Sequence, residues 1–188
     1  MELTWHPATL KDIKLLTKLR IDILRTEQKN EESSDMSDIL VQTYEYYKEA
    51  LTNDTCTAYL VYDGEEIIGT GEIGFSRILP TPENLTGRTA HIMNLYVHPD
   101  YRRQGVAYRT IALLLADANK RGIRKIMLEA TGMNGTLFAG FGFIPEENCM
   151  KLQSCQNTPE FDITMDEEDI ETVVPVSSEA VKNENMNK

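Results

Sequence analysis

Residues 90–130 place a strand, a helix and a second strand in one short stretch, and this pattern constrains the fold more than any other feature. The run "AHIMNLYVHP" (90–99) is almost continuously apolar, which is typical of a strand covered on both faces. A helix is predicted from about Gly105, because apolar residues recur at helical spacing on one face: Ile111, Leu114, Leu115 and Ala118. The run "IRKIMLEA" (123–130) predicts a second buried strand. Two strands joined by a helix pair in parallel through a right-handed crossover.

The remaining segments add antiparallel strands and more helices. A short strand is predicted in 2–9 and an amphipathic helix in 8–28, where Thr9 and Asp12 form a candidate capping box. A second helix is predicted in 33–53, with Ser34 or Asp35 as its N-cap. The runs 55–63 and 66–78 flank a Gly-Glu-Glu turn and predict a hairpin. A short glycine-rich helix in 135–143 and closing strands in 143–155 and 160–165 complete the pattern.

These elements predict one layered α/β domain over residues 1–156. We expect a mixed, mostly antiparallel sheet of about six to seven strands, containing a splayed parallel pair and flanked by about four helices. Residues 157–188 hold nine acidic residues and two lysines, and we expect them to form a loosely held acidic strand or tail, disordered in part.

Composition narrows the classes of partner. The 188-residue chain has a net charge of −11 and no large basic face, which argues against nucleic acid as a partner. It has no apolar run of membrane-spanning length and no leader-like start, so we expect a cytoplasmic protein without a membrane partner. Its three cysteines fit no zinc spacing, so free thiols and no metal site are expected.

Two glycine motifs are candidates for a phosphate site. Gly69, Gly71 and Gly74 match the G-x-G-x-x-G dinucleotide pattern, but they lie inside a predicted strand and no helix follows. That pattern needs a helix N-terminus to hold the pyrophosphate, so we interpret these glycines as a bulge or a site of close backbone approach.

The second motif, "RRQGVA" (102–107), lies where a strand gives way to a helix. A helix N-terminus offers unpaired N–H groups and a partial positive charge. Gly105 would let phosphate oxygens approach the backbone, and Arg102 and Arg103 would add positive charge. The alternative is an exposed basic helix start with no ligand.

The motif Arg102-x-x-Gly105-x-Ala107, preceded by "NLYVHPDY", resembles the acetyl-CoA-binding signature of the GNAT superfamily of N-acyltransferases. The order of predicted elements over about residues 3–153 is also similar. In addition, "ATGMNGTLFAGFGF" (130–143) resembles a variant of the last helix of that family.

The resemblance implies a binding site for acetyl-CoA as acyl donor. The pyrophosphate would lie on the amides of the signature loop: Arg102, Arg103, Gln104, Gly105, Val106, Ala107 and Tyr108. The pantetheine arm would add alongside Leu95, Tyr96 and Val97 like a strand. A backbone N–H of Leu95 or Tyr96 would polarise the thioester carbonyl, and Thr131 would contribute a polar contact.

The chemistry implied is attack of a primary amine on the thioester. At neutral pH only about one alkyl amine in 10³ is uncharged, so a proton must be removed. Glu72 is a candidate base because it is the only carboxylate inside the apolar strand "EIIGTGEIGF"; an outward surface position is the alternative. His91 is a weaker candidate because it lies near the start of its strand. Asn94 could position a water molecule or the amine.

The donor of a proton to the leaving thiolate is open. Family members often use a tyrosine of the last helix, and the matching residue here is Phe138, which has no proton to give. Tyr108 and Tyr96 are possible substitutes.

Two functions fit these features. The first is an acetyl-CoA-dependent N-acetyltransferase acting on a small-molecule or peptide amine; the second is an acyl-CoA-binding sensor or scaffold with weakened catalysis. Four acids between the first two helices could favour a cationic acceptor or could form a solvated link: Glu27, Glu31, Glu32 and Asp35. A homodimer is possible for either function.

Overall fold

The computed structural model describes residues 2–27, 35–130 and 135–145. In this part the strands are β1 (Leu3–Pro7), β2 (Cys56–Asp63), β3 (Glu66–Arg77), β4 (Arg88–Val97) and β5 (Lys125–Leu128). The helices are α1 (Ile13–Glu27), α2 (Ser37–Thr52), α3 (Val106–Lys120) and α4 (Gly135–Ala139). Two single 3-10 turns, Leu10–Asp12 and Pro99–Tyr101, precede α1 and α3.

The strands form one mixed sheet in the order β1-β2-β3-β4-β5. The first three pairings are antiparallel, and β4–β5 is parallel with α3 as its crossover. The predicted mixed α/β architecture is therefore confirmed. Five strands in the described residues are fewer than the six to seven predicted, since the expected closing strands fall largely beyond residue 145. β5 is half-buried rather than buried, because no described strand pairs with its outer edge.

Helices cover both faces of the sheet. On one face, Ile73 and Ile92 pack against Ile111 and Leu114 of α3 and against Phe138 of α4. On the other face, Ala58 and Leu60 of β2 pack against Ile13 and Leu16 of α1 and against Tyr47 of α2. The period-2 alternation of the strands thus divides the apolar residues between two cores.

The ends of the first two helices test two predicted caps. Thr9 and Asp12 form the predicted capping box, with the Thr9 N–H donating to Asp12 Oδ2 at 2.8 Å. The prediction for α2 was wrong, because its N-cap is Met36 with no side-chain cap bond. Asp35 lies one residue further out, and its Oδ1 accepts from the Ser37 N–H at 2.9 Å.

The glycines of β3 permit close packing. This agrees with their interpretation as a site of close backbone approach rather than a dinucleotide site. A Cβ at Gly69 would lie 2.9 Å from the carbonyl oxygen of Tyr96, and one at Gly71 would lie 2.6 Å from Thr110 Cγ2. The G-x-G-x-x-G pattern lies wholly within β3.

Four further expectations concern the domain boundary, membrane-spanning helices, the cysteines and metal sites. Residues up to Ile144 belong to one compact unit, and the expected boundary at 156/157 lies outside the described residues. No helix among the described residues has the length and apolar character needed to cross a membrane. Cys56 is a free, buried thiol, whereas Cys149 and Cys155 lie outside the described residues. The described ranges contain no cluster of His, Cys, Asp and Glu suited to a metal ion.

Arg121, at the C-terminus of α3, joins three parts of the fold. It makes a bidentate ion pair with Asp54 at 2.7 and 2.8 Å, bonds Asp117 at 3.1 Å, and stacks 4.2 Å over the ring of Phe75. We expect Arg121→Ala to lower the free energy of unfolding by about 2 kcal/mol, because charge-assisted bonds and stacking are lost together. Urea denaturation would measure this, with exposed Lys120→Ala as control; equal effects would contradict the assigned role.

Candidate active site

A β-bulge interrupts the pairing of β3 with β4 at the centre of the sheet. Thr70 pairs with Tyr96 and Glu72 pairs with Met93, so Gly71 faces two residues, Asn94 and Leu95. Asn94 is left-handed, with φ of 51°, a conformation that asparagine tolerates better than most residues. A bulge leaves its extra residue outside the ladder, so a backbone N–H is released from pairing at Asn94–Leu95.

The parallel pair separates at the same level of the sheet. Pairing of β4 with β5 ends at Ile92 and Leu128, and β4 continues to Val97 without a β5 partner. From Met93 to Val97 its residues are half-buried. A backbone edge is therefore open along the residues predicted to hold the pantetheine arm, in agreement with the expected splay.

A buried carboxylate lies beside the bulge. Glu72 is only 3% exposed, so the alternative of an outward surface position was wrong. Its Oε1 accepts from the Tyr47 hydroxyl of α2 and, at 2.8 Å, from Asn94 Nδ2. No described residue donates to Oε2.

Asn94 also connects this carboxylate to α1. Its Oδ1 accepts from Arg20 Nη1 at 3.0 Å, while its Nδ2 donates to Glu72. The chain Arg20–Asn94–Glu72–Tyr47 therefore joins α1, β4, β3 and α2, and the two predicted residues Glu72 and Asn94 are in direct contact. We call these four residues the polar cluster.

Burial controls the protonation of the polar cluster. It raises the pKa of Glu72 above its ordinary value of 4.5, while the hydrogen bonds from Tyr47 and Asn94 and the charge of Arg20 lower that pKa. Burial, followed by the charge of Glu72, raises the pKa of Tyr47, which stays protonated as a donor. Burial and the same carboxylate raise the pKa of Cys56 to about 12, so this thiol is no nucleophile at neutral pH.

The loop between β4 and α3 holds the predicted phosphate motif. Hydrogen bonds fix its shape: Arg102 Nε donates to the Val97 carbonyl at 3.2 Å, and Gln104 Nε2 donates to the Asp100 carbonyl at 2.9 Å. Arg103 and Gly105 are left-handed, with φ of 62° and 80°. Left-handed residues within such a turn direct successive amides to a common side, which forms an anion-binding concavity.

The start of α3 completes this loop. Val106 is buried against Val61 and Ile68, which anchors the first turn of the helix to the sheet. A Cβ on Gly105 would meet no atom within 4 Å, so the space above this turn is open, and the first turn carries no acidic residue. Ala107 is half-buried, and exposed Tyr108 stacks on Phe141 with ring centroids 4.5 Å apart. The loop thus has the backbone, space and charge that an anionic phosphate needs.

Other predicted residues lie apart from the polar cluster or outside the residues that the structure describes. His91 pairs with Gly74 and Met127, three residues before Asn94 along β4. His98 is the N-cap of the 3-10 turn Pro99–Tyr101. Phe138 is 7% exposed in the core next to α3. Thr131, Glu31 and Glu32 lie outside the described residues, and Asp35 is exposed.

Sequence reasoning missed Arg20 and Tyr47, and it offered a bulge at the glycines of β3 without placing the extra residue at Asn94–Leu95 of β4. A signal for Arg20 was present, because it occupies the apolar stripe of α1 four residues after buried Leu16. A signal for the bulge was asparagine in the middle of an apolar strand. Tyr47 gave no signal of its own, since a tyrosine on a buried helix face is common.

Comparison with known proteins agrees with this architecture. Residues 20–139 match the model of the acetyltransferase (GNAT) family. The chain is similar to a predicted acetyltransferase with acetyl-CoA from Clostridium acetobutylicum, at 28% identity and a TM-score of 0.73, covering 80% of this chain and 96% of that one. It is also similar to a GCN5-related N-acetyltransferase from Ralstonia eutropha, at 21% identity and a TM-score of 0.67, covering 80% and 98%. No curated protein sequence matches.

Proposed function

Because the chain belongs to the acetyltransferase (GNAT) family, we propose that it transfers an acetyl group from acetyl-CoA to the primary amine of a small molecule or peptide. The observation that carries this proposal is the polar cluster. It places a buried carboxylate of raised pKa beside the open edge of β4, where a thioester bound along that edge would lie.

The acyl donor is assigned to the open edge and the signature loop. The amides at the start of α3 and the left-handed Gly105 would hold the pyrophosphate, and Arg102 and Arg103 would pair with phosphate oxygens. The pantetheine arm would lie along Leu95–Val97, where β4 has no β5 partner. The similar Clostridium acetobutylicum structure was solved with acetyl-CoA, which supports this assignment.

The released N–H at the bulge is the candidate oxyanion donor. A thioester carbonyl gains negative charge when an amine attacks it, and a fixed backbone N–H stabilises that charge. The bulge supplies such a group at Leu95, next to the unpaired edge. Tyr96 is paired with Thr70, which makes Leu95 the stronger of the two candidates.

Glu72 is the candidate general base. Its Oε2 would take one proton from the bound ammonium group, directly or through a water molecule, and the amine nitrogen would then bond to the carbonyl carbon. The carbon–sulfur bond breaks as the tetrahedral centre collapses. A second proton leaves the nitrogen and neutralises the charge of the CoA thiolate. The products are an acetamide, free CoA thiol and one proton, which Glu72 returns to solvent. A raised pKa suits a base that works near neutral pH.

Replacement of Phe138 by tyrosine tests whether protonation of the thiolate limits turnover. We expect Phe138→Tyr to raise kcat by roughly tenfold, because it restores a proton donor on the last helix. Phe141→Tyr is the matched control, since Phe141 lies three residues further on and stacks on exposed Tyr108. An unchanged kcat in steady-state assays would show that the thiolate leaves without an acid.

Release of free thiol from acetyl-CoA, measured over a panel of amines, tests the proposed function. The acetyltransferase should release CoA only when an accepted amine is present. The second candidate function, an acyl-CoA-binding sensor, is favoured by the absence of a tyrosine at Phe138. It predicts stabilisation by acetyl-CoA with no amine-dependent release across the panel.

A further inference from the structure

Arg20 is a charged residue in an unusual position. It is half-buried in the apolar stripe of α1, and among the described residues its only hydrogen bond is the one to Asn94 Oδ1. No acid in the described ranges forms an ion pair with it. A guanidinium has five N–H donors, and removing it from water without partners is costly. Within the described part of the chain, its remaining donors meet no acceptor.

Arg20 and Glu72 are held near each other without touching. The amide of Asn94 lies between them, bonding Arg20 through its oxygen and Glu72 through its nitrogen. The two opposite charges are thus separated by one amide group and by the hydrogen bonds at its two ends, of 3.0 and 2.8 Å. An α-amino acid has a matching arrangement, since two carbon atoms separate its ammonium nitrogen from its carboxylate oxygens.

We propose that the acceptor is a free α-amino acid or a close analogue, bound with its ammonium group at Glu72 Oε2 and its carboxylate at Arg20. This inference rests on the proposed acetyl transfer and deepens it by naming the acceptor class. Lying alongside the Asn94 amide, such a zwitterion would neutralise both charges and present its nitrogen at the bulge. Arg20 would then determine specificity by contact with substrate.

The same geometry disfavours the other acceptor classes. A diamine would bring a second positive charge to Arg20, and like charges at close range repel. The amino terminus of a peptide carries an uncharged amide where an amino acid has its carboxylate. Such an acceptor would leave the Arg20 guanidinium unpaired, with the penalty that attends an unsatisfied buried charge.

The test compares L-amino acids with their α-carboxamides as acceptors for the full-length protein. The two members of each pair have nearly the same size and shape, and only the acid carries the negative charge. The carboxamide has the less basic amine, so a preference for the acid cannot arise from easier deprotonation. We expect kcat/KM for accepted acids to exceed that of their carboxamides by about 10–100-fold, the loss expected for one charge-assisted contact. Equal values, or turnover only of amines without a carboxylate, would overturn this inference alone.

Substitution of Arg20 distinguishes recognition of the acceptor's carboxylate from support of the fold. Arg20→Gln should remove the preference, because it should lower kcat/KM for the acid about 10–100-fold more than kcat/KM for the carboxamide. Arg25→Gln is the matched control, because Arg25 lies on the same helix and is exposed. A parallel loss for both acceptors would show that Arg20 only positions Asn94, and would overturn the proposal. Absence of turnover with every amine would overturn acetyl transfer itself.

Discussion

Glu72→Gln should lower kcat by about 10²–10⁴-fold with little change in stability, because it removes the only buried base of the polar cluster. The substitution keeps the size of the side chain and its Oε1, so the hydrogen bonds from Tyr47 and Asn94 can remain. Steady-state kinetics with an accepted amine would measure the loss, and thermal unfolding would check the fold. Exposed Glu66→Gln, on the same strand, is the matched control.

The pH dependence gives a second measure of the same role. Burial raises the pKa of Glu72 above 4.5, so kcat should fall as the pH drops through that pKa. At higher pH, kcat should reach its full value. The contribution of Glu72 to the free energy of unfolding changes with pH in the opposite direction. It is fully present at low pH and is lost as the pH rises through the raised pKa, because folding favours the protonated carboxyl group. In Tyr47→Phe the acid limb should move to higher pH, since the Tyr47 bond lowers this pKa. A Glu72→Gln enzyme with wild-type kcat and an unchanged acid limb would contradict the assignment.

Gly105→Glu should abolish the stabilisation of the protein by CoA. The new side chain would place a carboxylate above the turn where phosphate oxygens are expected, and no atom within 4 Å would deflect it. For the wild type at 100 times Kd, stabilisation of about 2.7 kcal/mol is expected, or roughly 5–10 °C in Tm for a chain of this size. The measurement is thermal unfolding with and without CoA.

Gly122→Glu provides the control for backbone strain. Gly122 lies just beyond the other end of α3, is left-handed with φ of 70°, and also has open space around its Cβ position. A side chain at either position strains the backbone by about 1–3 kcal/mol, so both variants should lose stability without ligand. Only Gly105→Glu should lose the response to CoA. If it keeps the wild-type shift, the signature loop is not the pyrophosphate site.

The sequence predicted those parts of the fold that depend on local pattern. The apolar period of α1, the capping box at Thr9 and the hairpin of β2 and β3 are properties of neighbouring residues, and each was found. The strand–helix–strand pattern also required the parallel pair of β4 and β5, because the crossover rule leaves little choice. The cap of α2 was missed because the buried Met36 takes the N-cap position, while Asp35 bonds to the Ser37 N–H from one residue further out.

The polar cluster could be predicted only in part. Glu72 and Asn94 were chosen separately, each as a polar residue in an apolar strand, but their contact depends on a bulge that shifts the register of β4 by one residue. Arg20 and Tyr47 come from helices 52 and 25 residues away from Glu72 in the sequence. Their convergence on one carboxylate depends on how both helices pack on the sheet, which no local pattern records.

Transfer of an isotopically labelled acetyl group would distinguish an acetyltransferase from a protein that only binds acetyl-CoA. The protein would be incubated with acetyl-CoA labelled in its acetyl carbons and with an amine that triggers thiol release, and the products would be identified by mass spectrometry. If the protein catalyses acetyl transfer, labelled acetamide should form on the amine nitrogen in an amount equal to the free CoA, with a strong reduction in Glu72→Gln. Bound acetyl-CoA that keeps its label with every amine, or label released only as acetate, would contradict acetyl transfer.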